Sequence, residues 1–301
     1  MGVLLQKWLI LLQNKNIMVF NTANQVLETF KTALKSIYPQ EEIRNFVLML
    51  LEYKIGFSKI DFLMKGSEEL SSQTIQFCQE ALEQLMQHIP IQYIIGETEF
   101  YGLPFKVSPA VLIPRPETEE LVQWIIHDNK LACPNILDIG SGSGCIPISL
   151  KKHIPDAMVS SWDISEEALR IAKANALLNK TEVNFIKNDA LNPVYNPEQF
   201  DIIVSNPPYV MDQEKKLMQD NVIKHEPHLA LFVSDNDPLI FYRNICKLAA
   251  KALKPGGTLY FEINEALGKE TELLMKEYGF EQTEVRKDLF GKDRMAKGVK
   301  H

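Results

Sequence analysis

Leu137-Asp138-Ile139-Gly140-Ser141-Gly142-Ser143-Gly144 is the stretch that decides how this chain is read. Asn135–Ile139 is apolar enough for a buried strand, and Ile146–His153 has the apolar spacing of a helix. Between them, glycines at alternate positions let the backbone turn sharply and let a ligand approach without a Cβ in the way. The spacing is Gly-x-Gly-x-Gly, with Cys145 next. A dinucleotide fingerprint needs Gly-x-Gly-x-x-Gly, and a P-loop needs Gly-Lys-Ser/Thr, so neither pattern is met. A loop of this kind also serves as a plain strand-to-helix turn.

The residues beyond the loop give it a context. Ala157–Trp162 reads as a strand, Glu166–Leu178 as a helix, and Val183–Ile186 and Phe200–Val204 as further strands. Pro238–Leu253 reads as a long helix ended by Pro255-Gly256-Gly257, with Thr258–Ile263 as the next strand. Strands alternating with helices at this interval predict an α/β fold with a mostly parallel sheet covered on both faces. Such sheets bind ligands at the carboxyl ends of their strands. Asp163 closes the second strand, 25 residues after Asp138, where a carboxylate accepts hydrogen bonds from both hydroxyls of a ribose. Asp189 follows the third strand and is placed to face a nucleoside base. Carboxylates at three successive strand ends point to a nucleoside ligand more firmly than the glycine loop does.

The fourth strand runs into Ser205-Asn206-Pro207-Pro208-Tyr209. Two prolines cannot donate backbone hydrogen bonds, and they restrict their own φ and the residue before each. The expected product is a rigid ledge with free carbonyls. Asn206 Oδ1 and the Pro207 carbonyl are suited to grip the two hydrogens of an N–H₂ group, and Tyr209 offers a flat face to a planar one.

Upstream, residues 21–88 repeat apolar side chains at helical spacing: Val26, Phe30, Leu34 and Ile37, then Ile43, Phe46, Val47, Leu50 and Leu51, then Ile75, Cys78, Leu82 and Leu85. They predict a small helical bundle. Residues 90–113 read as a β-hairpin, with Tyr93-Ile94-Ile95 and Phe105-Lys106-Val107 flanking Gly96…Gly102. Pro116, followed by acidic residues, marks a helix start. The expected organisation is a helical domain over 1–89, a hairpin linker over 90–113 and an α/β domain over 114–301.

Composition narrows the function classes. The 301 residues carry 32 basic and 39 acidic side chains, a net charge of −7, which argues against a protein held on nucleic acid by non-specific charge. Residues 1–110 hold 9 basic and 11 acidic side chains, so the helical domain is no basic clamp. No apolar run approaches the roughly 20 residues of a membrane-spanning helix. Residues 1–12 are apolar but interrupted by Gln6 and Lys7, and read as a helix start or an extension upstream of Met18. Cys78, Cys133, Cys145 and Cys246 lie far apart and read as reduced thiols, with neither disulfides nor a zinc site expected. His225-Glu226-Pro227-His228 reads as a loop, since the proline breaks helical ligand spacing. Residues 286–301 carry six Lys/Arg against two Asp and read as a solvated basic edge.

The glycine loop, Asp163 and the Ser-Asn-Pro-Pro-Tyr segment together resemble the S-adenosylmethionine-dependent methyltransferases that act on planar or amide nitrogens. Three further stretches are more specific: Glu99-Phe100-Tyr101-Gly102-Leu103-Pro104-Phe105, Leu112-Ile113-Pro114-Arg115-Pro116-Glu117-Thr118-Glu119, and Lys287-Asp288-Leu289-Phe290-Gly291-Lys292-Asp293-Arg294. With them, residues 90–298 resemble the HemK/PrmC family, the release factor glutamine methyltransferases.

That resemblance implies a Rossmann-like class I methyltransferase sheet and an N-terminal domain that recognises substrate. The implied acceptor is the glutamine of the Gly-Gly-Gln motif of peptide chain release factors, methylated on its side-chain nitrogen. By position, Gly140, Ser141, Gly142, Ser143 and Gly144 line the methionine portion of the cofactor, Asp163 holds the ribose, and Asp189 and Ala190 lie beside the adenine. Asn206, Pro207 and Tyr209 become the catalytic candidates, with Pro208 and Phe100 joining them around the glutamine side chain. Arg115 and Glu117 are expected to order the cofactor lid or the hairpin, or to cap a helix. A cytoplasmic monomer without stable nucleic-acid binding is the corresponding expectation. A sister enzyme acting on a ribosomal-protein glutamine shares the Asn-Pro-Pro-Tyr segment and is the nearest alternative. Two other classes are an amino methyltransferase of nucleic acid bases, which needs a positive surface for flanking phosphates, and a non-catalytic methyltransferase-fold binding module.

Overall fold

The computed structural model describes residues 20–301. The N-terminal apolar stretch and the question of Met18 as a start lie outside those residues. The chain divides into two compact units, one ending at Ile95 and one running from Gly96 to His301.

The first unit is helical: α1 (Ala23–Leu34), α2 (Gln40–Ile55), α3 (Lys59–Lys65), α4 (Ser72–Leu85) and the short α5 (Ile91–Ile95). Starts are set locally, by Thr22 on α1, by a Ser58/Asp61 capping box on α3 and by Ser71 on α4. α2 stops at Gly56, which takes the left-handed conformation at φ 66°. The apolar repeats seen in sequence converge on one core, with Val26, Phe30, Leu34, Ile43, Leu50, Cys78 and Leu82 fully buried.

The second unit opens with a two-stranded hairpin, β1 (Glu97–Phe100) against β2 (Leu103–Lys106). Tyr93-Ile94-Ile95, expected in the hairpin, is helical and belongs to the first unit. The turn is Tyr101-Gly102, both at positive φ, the backbone that a tight two-residue hairpin needs. Asn175 staples the hairpin to the glycine loop: its Oδ1 accepts from Lys106 N at 2.7 Å, and its Nδ2 donates to Lys106 O and Ser143 O.

Next come α6 (Pro116–Asp128), β3 (Asn135–Ile139), α7 (Cys145–His153), β4 (Met158–Asp163), α8 (Glu166–Leu178), β5 (Asn184–Lys187) and β6 (Phe200–Ser205). A short pair, β7 (Val210–Met211) and β8 (Phe232–Val233), encloses a 3₁₀ turn with α9 (Asp220–His225) and α10 (His228–Leu231). The chain ends with α11 (Ile240–Ala252), β9 (Leu253–Glu262), α12 (Gly268–Glu277), β10 (Phe280–Lys287) and β11 (Asp293–Lys300). The main sheet has seven strands in the order β10-β11-β9-β6-β3-β4-β5. Five adjacent strands, β9, β6, β3, β4 and the edge strand β5, are parallel, and β11 and β10 are added in antiparallel pairing at the other end. Pro255-Gly256-Gly257 does not separate helix from strand as expected: it lies within β9, with Gly256 at φ 79°.

Alternation along each strand divides the core in two. Leu137, Ile139, Ile203, Leu259 and Phe261 pack with α11 and α12, whereas Ile136, Ile202, Val204 and Tyr260 pack with α6 and α7.

The C-terminal strands were legible only as a basic edge, and the structure corrects that reading. Lys297 pairs with Asp128 at 2.6 Å and lies over the Trp124 ring, as does the Arg286 guanidinium. Lys292 and Arg294 share Glu265, and Arg294 also meets the buried Asp288. Most of the charge on this edge is therefore paired within the fold, with Lys287 exposed.

Gly144 gives a direct test of helix packing. It sits at φ 83°, and a Cβ there would lie 2.9 Å from Ile148 Cδ1 and 3.2 Å from Ala172 Cβ, whereas one on Gly142 would meet nothing within 4 Å. Gly144→Ala is expected to cost about 2–4 kcal/mol through backbone strain and overpacking, against about 1 kcal/mol for Gly142→Ala. Urea unfolding followed by the fluorescence of Trp124 and Trp162 measures both; equal costs would rule out the packing role.

Candidate active site

Strand register builds the site. Ile139 lies opposite Trp162 on one side and Ser205 on the other, and Ser205 lies opposite Phe261. The next residue of each chain, Gly140, Asp163, Asn206 and Glu262, therefore falls in one row at the carboxyl edge. The direction of strand addition reverses between β3 and β6, the position at which open α/β sheets bind ligands. A cavity of about 280 Å³ sits there, lined by the glycine loop, Asp163, Asp189, Ala190, Asn206, Pro207 and Pro208 among others.

On the glycine side, Gly140 N and Ser141 N both donate to Trp162 O, which bends the loop back over β4. Asp163 takes the Gly142 N–H on Oδ2 at 2.9 Å and the Ser165 N–H on Oδ1 at 2.8 Å. Each oxygen keeps a lone pair, so the carboxylate is aimed by the backbone and still able to accept hydroxyl donors. Asp189 is oriented similarly, its Oδ1 accepting from Leu191 N. Asp138 lies under the loop, fully buried, with Ser161 Oγ donating to its Oδ2 at 2.6 Å and no partner for Oδ1.

On the ledge side, Ser205 Oγ donates to Ile139 O and locks β6 to β3 immediately before Asn206. Asn206 Nδ2 donates to Thr118 Oγ1 at 3.4 Å, and Thr118 Oγ1 donates to Glu262 Oε2 at 2.6 Å. Tyr209 OH donates to Glu262 Oε1 at 3.0 Å. Asn264 Nδ2 holds the Tyr209 carbonyl and Glu214. Glu262 is 1% exposed, and burial raises its pKa.

Three expected placements differ. Phe100 is 1% exposed and packs edge-on against Phe105 in the core beside α6, so it forms no cavity wall. Tyr209 is half-buried and lies off the cavity wall, its hydroxyl committed to Glu262. Gly144 is also off the wall; it caps α7 and lets that helix approach Ala172.

Arg115 does line the cavity, and its guanidinium meets Glu226 at 2.6 Å. Glu226 has a side chain 1% exposed and also accepts from Ile113 N. This pair ties the start of α6 to the α9–α10 segment, whose Pro227, Leu229 and Ala230 form part of the cavity wall. Glu117 lies in the first turn of α6, where its charge suits the helix dipole. Glu262 was not singled out from sequence, Thr118 was named only within the Leu112–Glu119 stretch, and Glu226 was read only as part of a loop. The available signal for Glu262 was an acid closing the otherwise apolar run Leu259-Tyr260-Phe261.

Three of the cysteine thiols are held in the protonated, unreactive form. Burial pushes Cys78 and Cys145 up to about 12 and raises Cys246 as well.

The fold and the row of strand-end groups define a class I methyltransferase. The family described as "Methyltransferase small domain" matches residues 118–230, and "PrmC N-terminal domain" matches residues 25–96. The release factor glutamine methyltransferase of Flavobacterium psychrophilum is 50% identical over 89% of this chain and 95% of its own length. That of Bacteroides thetaiotaomicron is 44% identical over 90% of this chain and 98% of its own. Among solved structures, a Pyrococcus furiosus methyltransferase is similar in fold, with a TM-score of 0.50 at 17% identity over 67% of this chain and 90% of that one. The chain belongs to the release factor glutamine methyltransferase family.

Its methyl donor is S-adenosylmethionine, and the residues present fit that group. Gly142 has open space beside the loop and a Cβ on Gly140 would meet only Asn206 O, at 3.8 Å, while Asp163 keeps carboxylate lone pairs for hydroxyl donors and Asp189 and Ala190 border the same cavity.

Asp138 makes this site pH-sensitive. Burial pushes its carboxyl up to about 8, the Ser161 hydrogen bond opposes that, and the Asp163 charge adds to it. An unfolded aspartate titrates near about 3.9. Between those values the folded protein holds a proton that the unfolded chain has lost, so stability falls as pH rises through that window. Melting of the ligand-free protein from about pH 5 to about pH 8.5 should therefore decline more steeply for wild type than for Asp138→Asn. A constant gap between the two curves would mean that Asp138 is ionised throughout.

Proposed function

We propose that the protein methylates the side-chain amide nitrogen, N5, of the glutamine in the Gly-Gly-Gln motif of peptide chain release factors and leaves S-adenosylhomocysteine. Family membership supports the substrate class. The observation that carries the chemistry is Asn206 on the cavity wall with Nδ2 engaged by Thr118, which leaves Oδ1 as the atom available to a substrate.

An amide nitrogen is a poor nucleophile because its lone pair is delocalised into the carbonyl. Asn206 Oδ1 and the Pro207 carbonyl would each accept one N–H of the glutamine, fixing the plane of the amide and turning its nitrogen towards the donor. Holding the two reactants in this way replaces a bimolecular encounter by a near-attack geometry. The two acceptor dipoles also favour positive charge as it develops on nitrogen. S-adenosylmethionine, when bound, would supply an electrophilic sulfonium methyl whose S–CH₃ electron pair stays on sulfur as the N–CH₃ bond forms, and the glutamine nitrogen, held by Asn206 and Pro207, would then lose its proton to solvent. Pro207 and Pro208 keep the ledge rigid, and Tyr209 supports it from behind through Glu262.

In this reading the helical unit ending at Ile95 recognises the release factor, and the enzyme works as a monomer in the cytoplasm, where translation terminates. Among the described residues no helix is long and apolar enough to cross a membrane.

Peptide mass spectrometry of a purified release factor tests the proposal. One added methyl on the Gly-Gly-Gln peptide, absent from a Gln-to-Glu control, is the expected result; methyl transfer to nucleic acid but not to the factor would overturn it. Asn206→Ala should lower kcat by at least about 100-fold, the scale of losing one preorganised polar contact to a transition state. Asp163→Ala should act first on the donor, weakening its Kd by about 10- to 100-fold. Calorimetry of both variants separates the two roles, and undiminished turnover by Asn206→Ala would defeat the ledge mechanism.

A further inference from the structure

We infer that Thr118 and Glu262 are positioning residues that decide which end of the Asn206 carboxamide faces the substrate. The inference rests on the proposed transfer to an amide nitrogen, because that reaction needs Oδ1, and not Nδ2, turned towards the acceptor.

A carboxamide is nearly symmetric in shape, so packing alone does not choose between its two flipped states. The choice is made by hydrogen-bond polarity, read outward from Glu262. Glu262 Oε2 is the acceptor in its 2.6 Å contact with Thr118 Oγ1, so the threonine spends its one proton on Glu262. Lone pairs are then all that Thr118 can show to Asn206, so the group placed against it has to be Nδ2–H. The flipped state would set Oδ1 against those lone pairs, acceptor facing acceptor. At 3.4 Å the contact is longer than an ordinary amide–hydroxyl bond, so together with the acceptor–acceptor repulsion of the flipped state it biases the flip by about tenfold at most.

Sheet geometry makes the chain of donors possible. Glu262 shares strand parity with Tyr260, whose ring packs edge-on against Trp124 of α6. Asn206 shares parity with Val204, on the same face. Thr118 lies in the first turn of α6, on that face, and is 2% exposed. The other oxygen of Glu262 accepts from Tyr209, so one buried acid orients two residues of the Asn-Pro-Pro-Tyr segment. Its backbone carbonyl accepts from Tyr242 OH, which anchors the end of β9. Burying a carboxylate at this depth is costly without such partners, and the partners it has are the ledge and the helix start.

Two substitutions test the polarity itself. Thr118→Val keeps the shape and removes the hydroxyl; Thr118→Ser restores it. Glu262→Gln replaces an acceptor by a group able to donate to Thr118, which frees the threonine proton for Asn206 Oδ1. Thr118→Val, which leaves the flip unbiased, should lower kcat for release factor methylation about twofold, and Glu262→Gln, which reverses the bias, by about tenfold, with KM and the S-adenosylmethionine Kd within about threefold of wild type. Thr118→Ser should recover most of the lost rate. A purely structural role would instead move melting temperature and donor Kd together with kcat.

A second readout needs no substrate. In protein carrying ¹⁵N-labelled asparagine, the Asn206 side-chain signals, assigned by their loss in Asn206→Asp, should exchange with solvent at least about tenfold faster in Thr118→Val than in wild type. Unchanged exchange, or an unchanged kcat in Thr118→Val, overturns the inference. Protected Asn206 signals in an enzyme that leaves release factors unmethylated would instead sustain the positioning role and defeat the substrate reading.

Discussion

In-register pairing of the parallel strands β4, β3, β6 and β9 is the constraint on which the rest of the molecule depends. Hydrogen bonding fixes Ile139 against Trp162 and Ser205, and Ser205 against Phe261. From that alone, Gly140, Asp163, Asn206 and Glu262 emerge in one row. A slip of one residue in any pair would send the wrong side chain to the edge and turn the apolar set to the other face. The large apolar residues packed on both faces make such a slip costly, so burial in the core sets the precision of the site.

Buried carboxylates are the second theme, and each has a separate use. Asp163 is aimed by two backbone N–H groups yet keeps acceptor capacity for a ligand. Asp138 is sealed under the glycine loop, and that burial favours its protonated form against the pull of one serine hydroxyl. Glu226 takes a charged partner, Arg115, and links α6 to the segment bordering the cavity. Glu262 takes neutral hydroxyl donors from two elements. Hydroxyl donors satisfy a buried acid without a counter-ion and transmit its polarity to the next group along. An ion pair with Arg115 neutralises charge but passes on no such direction.

Much of the basic charge on β10, β11 and the turn between them is spent on cohesion: Arg286, Lys292, Arg294, Lys297 and Lys300 all find acids, a carbonyl or the Trp124 ring within the second unit.

Local pattern was enough for much of this. Helical repeats, the strand–helix alternation, the Gly140–Gly144 turn, the Asp163 strand end and the Pro207-Pro208 ledge are short-range features, written in neighbouring residues, and the sequence by itself determined them. It also determined the family, because the motifs are contiguous. Long-range pairing was another matter. Phe100 looks like a wall residue beside Gly102, yet apolar packing against Phe105 takes it into the core. Strands β10 and β11 are so rich in charge that alternation is masked, and their place appears only when Asp128, Glu265 and Trp124 are brought alongside. Thr118 and Glu262 lie 144 residues apart. Their partnership with Asn206 is a matter of which strand lies beside which and which face each side chain takes, and hydrogen-bond polarity has no meaning until the donor and acceptor are in contact. Tertiary structure alone decided that.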